Sequence, residues 1–589
     1  MQQQPRTIGR LWRDAVAAEH PDPAYLVEED GAWTGISWAD AARRVEELAN
    51  GLLALGIRKR DAVGILGSTR VEWTLFDFAL ALVGAITAPV YANSSPDDCA
   101  YVLGHSEAVG VLVEDEEQAA KIVEVRDRLP GFRHVLTFAD LDTLADRGRE
   151  FASAQPRALP EAEAAVDEDD LFTYIYTSGT TGPPKACMIR HRNYYAMVAV
   201  IDRLDEFIVR GDVVLLYLPL AHNFGRLMHL AGPYAGYTTA FCPDPYRVGE
   251  ALAAVRPTVF PSVPRIYEKV HTAVTAAFDE TRGPRRRLLD WSLGVGREAG
   301  ALREAGKPLP RGLVLRHRLA DRLVYSKIKK RLGGRLRIGI SGGAPLAAEI
   351  ARLFHALDIL ILEGYGLTEI TSAATVNRPH RFRFGTVGPA LPGCELKIAE
   401  DGEVLIRSET IFAGYLKDEQ ATRAVLPGDG WLHSGDIGEL DENGFLHVTD
   451  RKKDIIVTAG GKNVAPQNLE NELKASRYVS QALVVGDRRP YLAALISLDE
   501  DEVSKLSPDG GGEVRGLVEG VVEEVNRRHS RFEQIKRFAV IDRDFSAEHG
   551  EVTPTLKLKR RVCEEHFAAE IEQLYAGEKE PGDRLKSVP

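Results

Sequence analysis

Nine consecutive residues, Thr177-Ser178-Gly179-Thr180-Thr181-Gly182-Pro183-Pro184-Lys185, bring four hydroxyls, two glycines and a lysine together. Glycines free the backbone to aim N–H groups at an anion, hydroxyls add donors, and Lys185 adds a mobile positive charge. The stretch reads as a phosphate cradle. The apolar run before it, Leu171 to Tyr176, predicts a buried strand. Gly182 is followed by Pro183 instead of Lys-Ser/Thr, so this is not a Walker A loop, and the chain has no GxGxxG dinucleotide fingerprint.

The cradle resembles the phosphate loop of the adenylate-forming superfamily, which includes acyl-CoA synthetases, firefly-type luciferases and peptide-synthetase adenylation domains. Further stretches resemble the superfamily's other motifs, in its order. Ser341-Gly342-Gly343-Ala344-Pro345 is similar to the adenine-wall turn, and Glu363-Gly364-Tyr365-Gly366-Leu367-Thr368-Glu369 to the YGxTE motif. Ser434-Gly435-Asp436 and Asp450-Arg451-Lys452-Lys453-Asp454 are similar to the ribose-binding and hinge motifs. Gly460-Gly461-Lys462-Asn463-Val464-Ala465-Pro466 is similar to the loop that opens the C-terminal domain, and Thr553 to Arg560 to the terminal lysine motif.

The resemblance implies a reaction in which a carboxylate attacks the α-phosphorus of ATP. Both partners are anionic, so neutralising charge is the main task. It implies Glu369 as the ligand of Mg²⁺, a hard cation that takes oxygen. Thr368 would donate to the α-phosphate, Tyr365 would offer a flat face to adenine, and Asp436 would accept from both ribose hydroxyls beside Arg451. Lys557 would bridge carboxylate and α-phosphate as the catalytic lysine. Lys453 would be a hinge about which the C-terminal domain swings, exchanging Lys557 for the Gly460-Gly461 loop, whose small residues leave room for the pantetheine arm of CoA.

Within the superfamily the likeness is greatest to long-chain fatty acyl-CoA synthetases. It rests on Leu218-Pro219-Leu220-Ala221-His222, Val263-Pro264-Arg265-Ile266-Tyr267-Glu268-Lys269, Gly460 to Asn463, and the Thr553 to Lys559 ending. His222 stands where that group has a residue near the carboxylate. The apolar residues around it, among them Leu215, Leu218, Leu227 and Met228, suit an acyl tunnel or equally a core. Two positions depart: Gly225 replaces the usual Glu before Arg226, and Ala186 replaces the Gly that commonly ends the phosphate loop. The expected activity is an ATP-dependent acid–CoA ligase for a medium- or long-chain fatty acid, releasing pyrophosphate and then AMP. An enzyme that loads an activated acid onto a carrier protein, and a nucleotide- and acyl-binding protein without turnover, stay open as alternatives.

The elements that must position these residues alternate in type. Ile36 to Leu55 and Trp73 to Val83 read as helices, and Ala62 to Leu66 and Thr87 to Tyr91 as short apolar strands, which implies a largely parallel sheet packed with helices. Ala152 to Asp170, rich in Ala, Pro and acid, reads as a surface connection. Short strands are expected at Glu403 to Ser408, Gly435 to Leu440, Gly444 to Val448 and Ile455 to Val457. The expected fold is α/β. A large N-terminal domain of parallel-rich sheets with a small β subdomain (residues 1–452) precedes a smaller, mobile α+β domain (residues 453–589). The polar tail after Tyr575 is expected to fray.

The chain's 589 residues exceed what one core organises. No signal-peptide layout opens it, its five cysteines are scattered, and its longest apolar stretch falls short of a bilayer span, so a cytoplasmic protein is expected. A net charge of −12 argues against nucleic acid as a partner. Thr281 to Arg337, however, holds 17 Lys/Arg against 4 Asp/Glu, a local +13 that leaves −25 on the remainder. That segment reads either as a solvated Arg-rich helical face or as a surface that meets anionic lipid at a membrane.

Overall fold

The computed structural model describes residues 5–177, 183–204, 206–504, 511–546, 548–553 and 558–576. Two large sheets carry the N-terminal domain. One has six strands in the order His134–Thr137, Gly110–Val113, Ala62–Gly67, Ile86–Tyr91, Leu171–Thr177, Lys185–Arg190; all pairs are parallel except the last. Parallel strands are covered on both faces and read as continuous apolar runs, as Ala62–Gly67 does with five of its six residues buried. The crossover helix Val71–Val83 is buried on nearly every side and stops at Gly84, whose φ of 72° supplies the left-handed turn that ends a helix.

The second sheet has eight strands. Its central run, Leu360–Tyr365, Ile338–Ser341, Val259–Ser262, Val213–Leu216, Thr238–Phe241, is parallel throughout. The C-terminal ends of these strands therefore share one edge, where ligands of open α/β sheets bind. Tyr365 ends one strand, Gly342 follows another, Val263 a third, and the segment leading to His222 a fourth. The sheet's topology thus gathers motifs that lie far apart in sequence.

A four-stranded antiparallel sheet forms the small β subdomain: Cys394–Ile398, Glu403–Ser408, Leu432–Leu440, Leu446–Arg451. From Ile456 onward the chain builds separate apolar clusters, including Ile456, Leu473, Ile496 and Phe538, around the three strands Val479–Val485, Leu492–Leu498 and Ile535–Ile541. This is the smaller C-terminal domain, with its own core. The strand expected at Ile455 to Val457 is only Ile456–Val457, paired with Asn463–Val464.

Ala152 to Asp170 is not a plain connection. Helix Leu141–Ala154 runs into it and helix Ala158–Ala164 follows, with Leu159 buried. Ala and Glu are strong helix formers. The periodicity is faint because the helix Ala158–Ala164 buries a single residue, Leu159. The tail after residue 576 lies outside the described residues.

Candidate active site

The strand Leu360–Tyr365 delivers Tyr365 to the sheet edge, and the chain then doubles back tightly. A Cβ on Gly366 would sit 1.6 Å from the Ser372 carbonyl oxygen, while Thr371 and Ser372 hold φ of 57° and 106°. Only glycine fits there. The turn leaves Thr368 and Glu369 on the single-turn helix Thr368–Ile370, both half-buried. Tyr365 Oη donates to Asp436 Oδ2 at 2.6 Å, and Arg451 Nε lies 3.1 Å from Asp436 Oδ1. Asp436 and Arg451 face each other across paired strands of the small β subdomain. Burial, and then the Asp436 charge, push the Tyr365 phenol well above its usual range, so it stays a neutral donor.

Glu369 has a second aromatic partner. Tyr415 Oη donates to Glu369 Oε1 at 2.6 Å, and Lys185 Nζ stands 5.2 Å over the Tyr415 ring and 3.8 Å from Asp418 Oδ2. Backbone pairing explains the meeting. Residues 413–416 lie along the strand Lys185–Arg190, with Ala413 N donating to Met188 O and Leu416 N to Ala186 O. The phosphate motif therefore spans a hairpin: Thr177 pairs with Lys185, and Thr177 Oγ1 donates to the Lys185 carbonyl at 3.3 Å. Ser178, Gly179, Thr180, Thr181 and Gly182 lie outside the described residues. Ala186 is wholly buried in an apolar cluster, which accommodates the extra methyl.

The turn after Ile338–Ser341 is tied down by Glu363, whose Oε1 accepts from Leu346 N at 2.9 Å. Burial pushes that carboxyl up to about 7. Gly342 lies against Phe224, whose ring a Cβ there would meet at 3.4 Å, and Gly343 takes φ 85° with Ala344 exposed beside it. Gly364 is similarly close to the Thr375 carbonyl, at 3.2 Å from a Cβ. His222 caps the helix Asn223–Ala235: its Nδ1 accepts from Phe224 N at 3.2 Å, which leaves the neutral ring's proton on Nε2. The Gly225 departure has a steric reason, since a Cβ there would lie 2.4 Å from the Pro219 carbonyl oxygen. The next residue, Arg226, is buried between Trp73 and Phe172 and pairs with buried Asp77 at 2.5 Å.

On the C-terminal side, Lys453 is exposed in the turn after Arg451. Gly460 and Gly461 are exposed in a turn closed by Gly461 N donating to Thr458 O, and a Cβ on Gly461 meets nothing within 4 Å. Lys557 lies outside the described residues; Val552 and Leu558 on either side of it pair as an antiparallel bridge. Arg560 is no solvated neighbour, because it is held by both oxygens of Glu470 at 2.8 and 2.9 Å.

Two matches to protein-family models decide what this arrangement belongs to. The AMP-binding enzyme model matches residues 13–416, and the model of the AMP-binding enzyme C-terminal domain matches residues 453–579. The chain belongs to the AMP-binding enzyme family. It is 39% identical to the long-chain-fatty-acid–CoA ligase FadD15 of Mycobacterium bovis, over 97% of this chain and 98% of that protein. It is 30% identical to the long-chain-fatty-acid–CoA ligase ACSBG2 of Xenopus laevis, over 97% and 84%. In fold it is similar to the anthranilate CoA ligase AuaEII in complex with anthranoyl-AMP, at a TM-score of 0.74 and 20% identity, covering 96% of this chain and 98% of that one. The adenylation domain of a carboxylate reductase from Mycobacterium chelonae superposes at 0.76 and 23%, covering 97% and 91%.

Two side chains beside the candidate site, and one that joins the domains, were not legible as such. Tyr415 is a single tyrosine in an irregular stretch, and Asp418 beside it carries no motif. Arg265 stands inside a quoted motif without a role, yet it donates to Ser480 in the C-terminal domain at 2.7 and 2.8 Å. Their partners are 46 residues or more away in sequence, and no local pattern marks them.

Proposed function

We propose that the protein is an ATP-dependent acid–CoA ligase that adenylates a medium- or long-chain fatty acid and passes the acyl group to CoA. One observation carries the reading: Tyr365, Asp436 and Arg451 form one polar group, Tyr415 donates to Glu369 with Lys185 over the Tyr415 ring in another, and the turn 365–369 joins them. The first group holds the nucleoside, with Asp436 oxygens accepting from ribose hydroxyls and the Tyr365 ring lying along adenine. The second group faces the phosphates, where Lys185, the Thr177 to Gly182 loop and Thr368 neutralise charge that would otherwise repel the incoming carboxylate.

Mg²⁺ fits this donor set. Among the described residues no cluster of three or more His, Cys, Asp or Glu forms a metal cage. A single carboxylate, Glu369, together with the substrate's own phosphate oxygens, is how this cation is usually held. When bound it draws charge from the phosphates; Tyr415 orients the Glu369 carboxylate for that task. His222 donates from Nε2 toward the acid's carboxylate, and Lys557 neutralises the pair while they join. In this reading residues 1–452 and 453–589 are the two moving parts, Lys453 is the hinge, and Gly460-Gly461 borders the CoA arm after the swing.

The test measures products across a panel of acids, with and without CoA. AMP and pyrophosphate are expected, along with binding that rises by about 0.8 kcal/mol per buried methylene until the pocket fills. ADP and orthophosphate as products would sink the mechanism, and an optimum at acetate would sink the substrate class. Glu369→Gln is expected to keep the fold and lose most adenylation; near-native turnover would remove Glu369 from its role.

A further inference from the structure

The +13 segment folds into the helices Gly283–Glu304, Arg311–Ala320 and Ser326–Arg331, laid on the N-terminal domain. They are seated firmly: a Cβ on Gly296 would lie 1.9 Å from the Ala356 carbonyl, so the first helix touches the backbone of the helix Ala348–Ala356. The segment's acids are already engaged. Asp290 pairs with Arg286, Glu298 with Arg316 and Asp321 with Lys329, while Glu304 accepts from Phe384 N. Acids outside the segment meet part of the excess, Asp358 pairing with Arg303 and Lys329 and Asp212 with Arg337, while Arg311 and Arg318 stand exposed.

The helix Arg311–Ala320 is inverted relative to a solvated charged face. Its inner side buries Leu313, His317 and Ala320. Its outer side carries Leu315 at 71% and Leu319 at 49% exposure, one turn apart, with exposed Arg311 and Arg318 on the same face. Trp291, 36% exposed, adds an aromatic edge on the neighbouring helix. Two exposed leucines flanked by two arginines are ill matched both to pure solvent and to an apolar groove. They suit a boundary where headgroup phosphates meet acyl chains, into which such side chains insert.

We propose that this face docks the enzyme on an anionic lipid bilayer, a step beyond the ligase chemistry and independent of it. The whole chain carries −12 and is repelled by such a surface at long range. Screening over roughly 8–10 Å at physiological salt confines attraction to this face, so docking is oriented. The exposed leucines supply the part of the binding that salt does not screen.

Full-length protein is co-sedimented with phosphatidylcholine vesicles, with and without phosphatidylglycerol, at two ionic strengths. Binding is expected only with the anionic lipid and to weaken with salt. Arg311→Ser/Arg318→Ser should lower the partition coefficient by about five-fold per arginine. Leu315→Ser/Leu319→Ser should lower it about ten-fold and steepen its salt dependence. Exposed substitutions leave the fold in place, verified by an unchanged Tm. Absent binding, equal binding to neutral vesicles, or binding that both double variants leave intact would each overturn the proposal. Binding to soluble polyglutamate that matches binding to vesicles and ignores the leucine variant would reassign the face to an acidic partner and overturn it as well.

Discussion

Arg265 clamps Ser480 across the two domains, one guanidinium nitrogen donating to the serine carbonyl at 2.7 Å and another to its hydroxyl at 2.8 Å. Ser480 Oγ in turn donates to Asp544 Oδ2 at 2.7 Å, so the acceptor is oriented before the arginine arrives. Weaker charge pairs flank it: Arg477 with Asp279 at 3.0 Å, Arg528 with Glu349 at 2.6 Å and Lys474 with Glu268 at 3.8 Å.

The clamp holds an orientation in which the Gly460-Gly461 turn is exposed, and in the proposed two-domain mechanism that orientation is the adenylating one. Arg265→Ala is therefore expected to slow acyl-adenylate formation about ten-fold, as losing a charged hydrogen bond does, and to spare thioester formation from supplied acyl-adenylate. Half-reactions measured separately decide it. Equal losses in both would reduce Arg265 to a general stabiliser.

Glu363 gives a pH signature. Burial raises its folded pKa from 4.5 to about 7, so between those values the native protein binds more protons than the unfolded chain. Stability conferred by the neutral carboxyl is present at low pH and is lost as pH rises toward 7. Glu363→Gln keeps an acceptor for Leu346 N and removes the ionisation. Its stability relative to wild type should improve between pH 5 and pH 8, by up to about 3 kcal/mol. Urea unfolding of ligand-free protein at both pH values measures this, and parallel curves would refute it.

Asp77 and Arg226 behave oppositely. Burial pushes the Asp77 carboxyl up, but Arg226, His229 and Thr87 together hold it below the usual range. Burial keeps His229 neutral, so Arg226 is the charged partner. The folded pKa is depressed, so the stability it gives is present above the unfolded value of about 3.9 and is lost as pH falls below it. Asp77→Asn leaves Arg226 buried and uncompensated and should cost about 3–5 kcal/mol at pH 7. Joining it to Arg226→Met should restore much of that, as read by urea unfolding; a double variant no better than the single would rule out the pair as the cause.

Legibility divided along one line. Residues inside a motif carried by the resemblance were readable: Gly366 within Glu363 to Glu369 and Asp436 within Ser434-Gly435-Asp436, as was the buried strand before Ser178 from its unbroken apolar run. Residues that work through a distant partner were not. Tyr365 was readable as an aromatic face, but its hydroxyl bond to Asp436 depends on a separate sheet meeting the strand end. Tyr415 reaches Glu369 only because 413–416 pairs with the edge strand Lys185–Arg190. Strand pairing over such separations leaves no mark in either segment alone. The helix Ala158–Ala164 was missed for a related reason, since it buries a single leucine and shows no stripe.

The two halves of the reaction are expected to separate by variant. In the proposed mechanism Lys557 neutralises charge that exists only while carboxylate and α-phosphate are joined, so Lys557→Ala should abolish acyl-adenylate formation, a loss of a few kcal/mol in one transition state. Supplied with acyl-adenylate and CoA, the same variant should still form thioester. The glycine loop should show the reverse, with adenylate formed but stalled. Its geometry dictates which glycine to change. Gly461 holds φ 72°, so any side chain there strains the turn in every orientation, whereas Gly460 carries no such constraint and a Cβ on it meets only its own Thr458 hydroxyl at 3.9 Å. Gly460→Trp is thus the cleaner test of the proposed pantetheine path, and Gly461→Ala reports the strain alone. Lys453→Pro, in the turn between the domains, should slow transfer more than adenylation by stiffening the swing. If Lys557→Ala and Gly460→Trp lose the same half-reaction, the two domains do not alternate over one site, and the C-terminal domain acts in a single orientation.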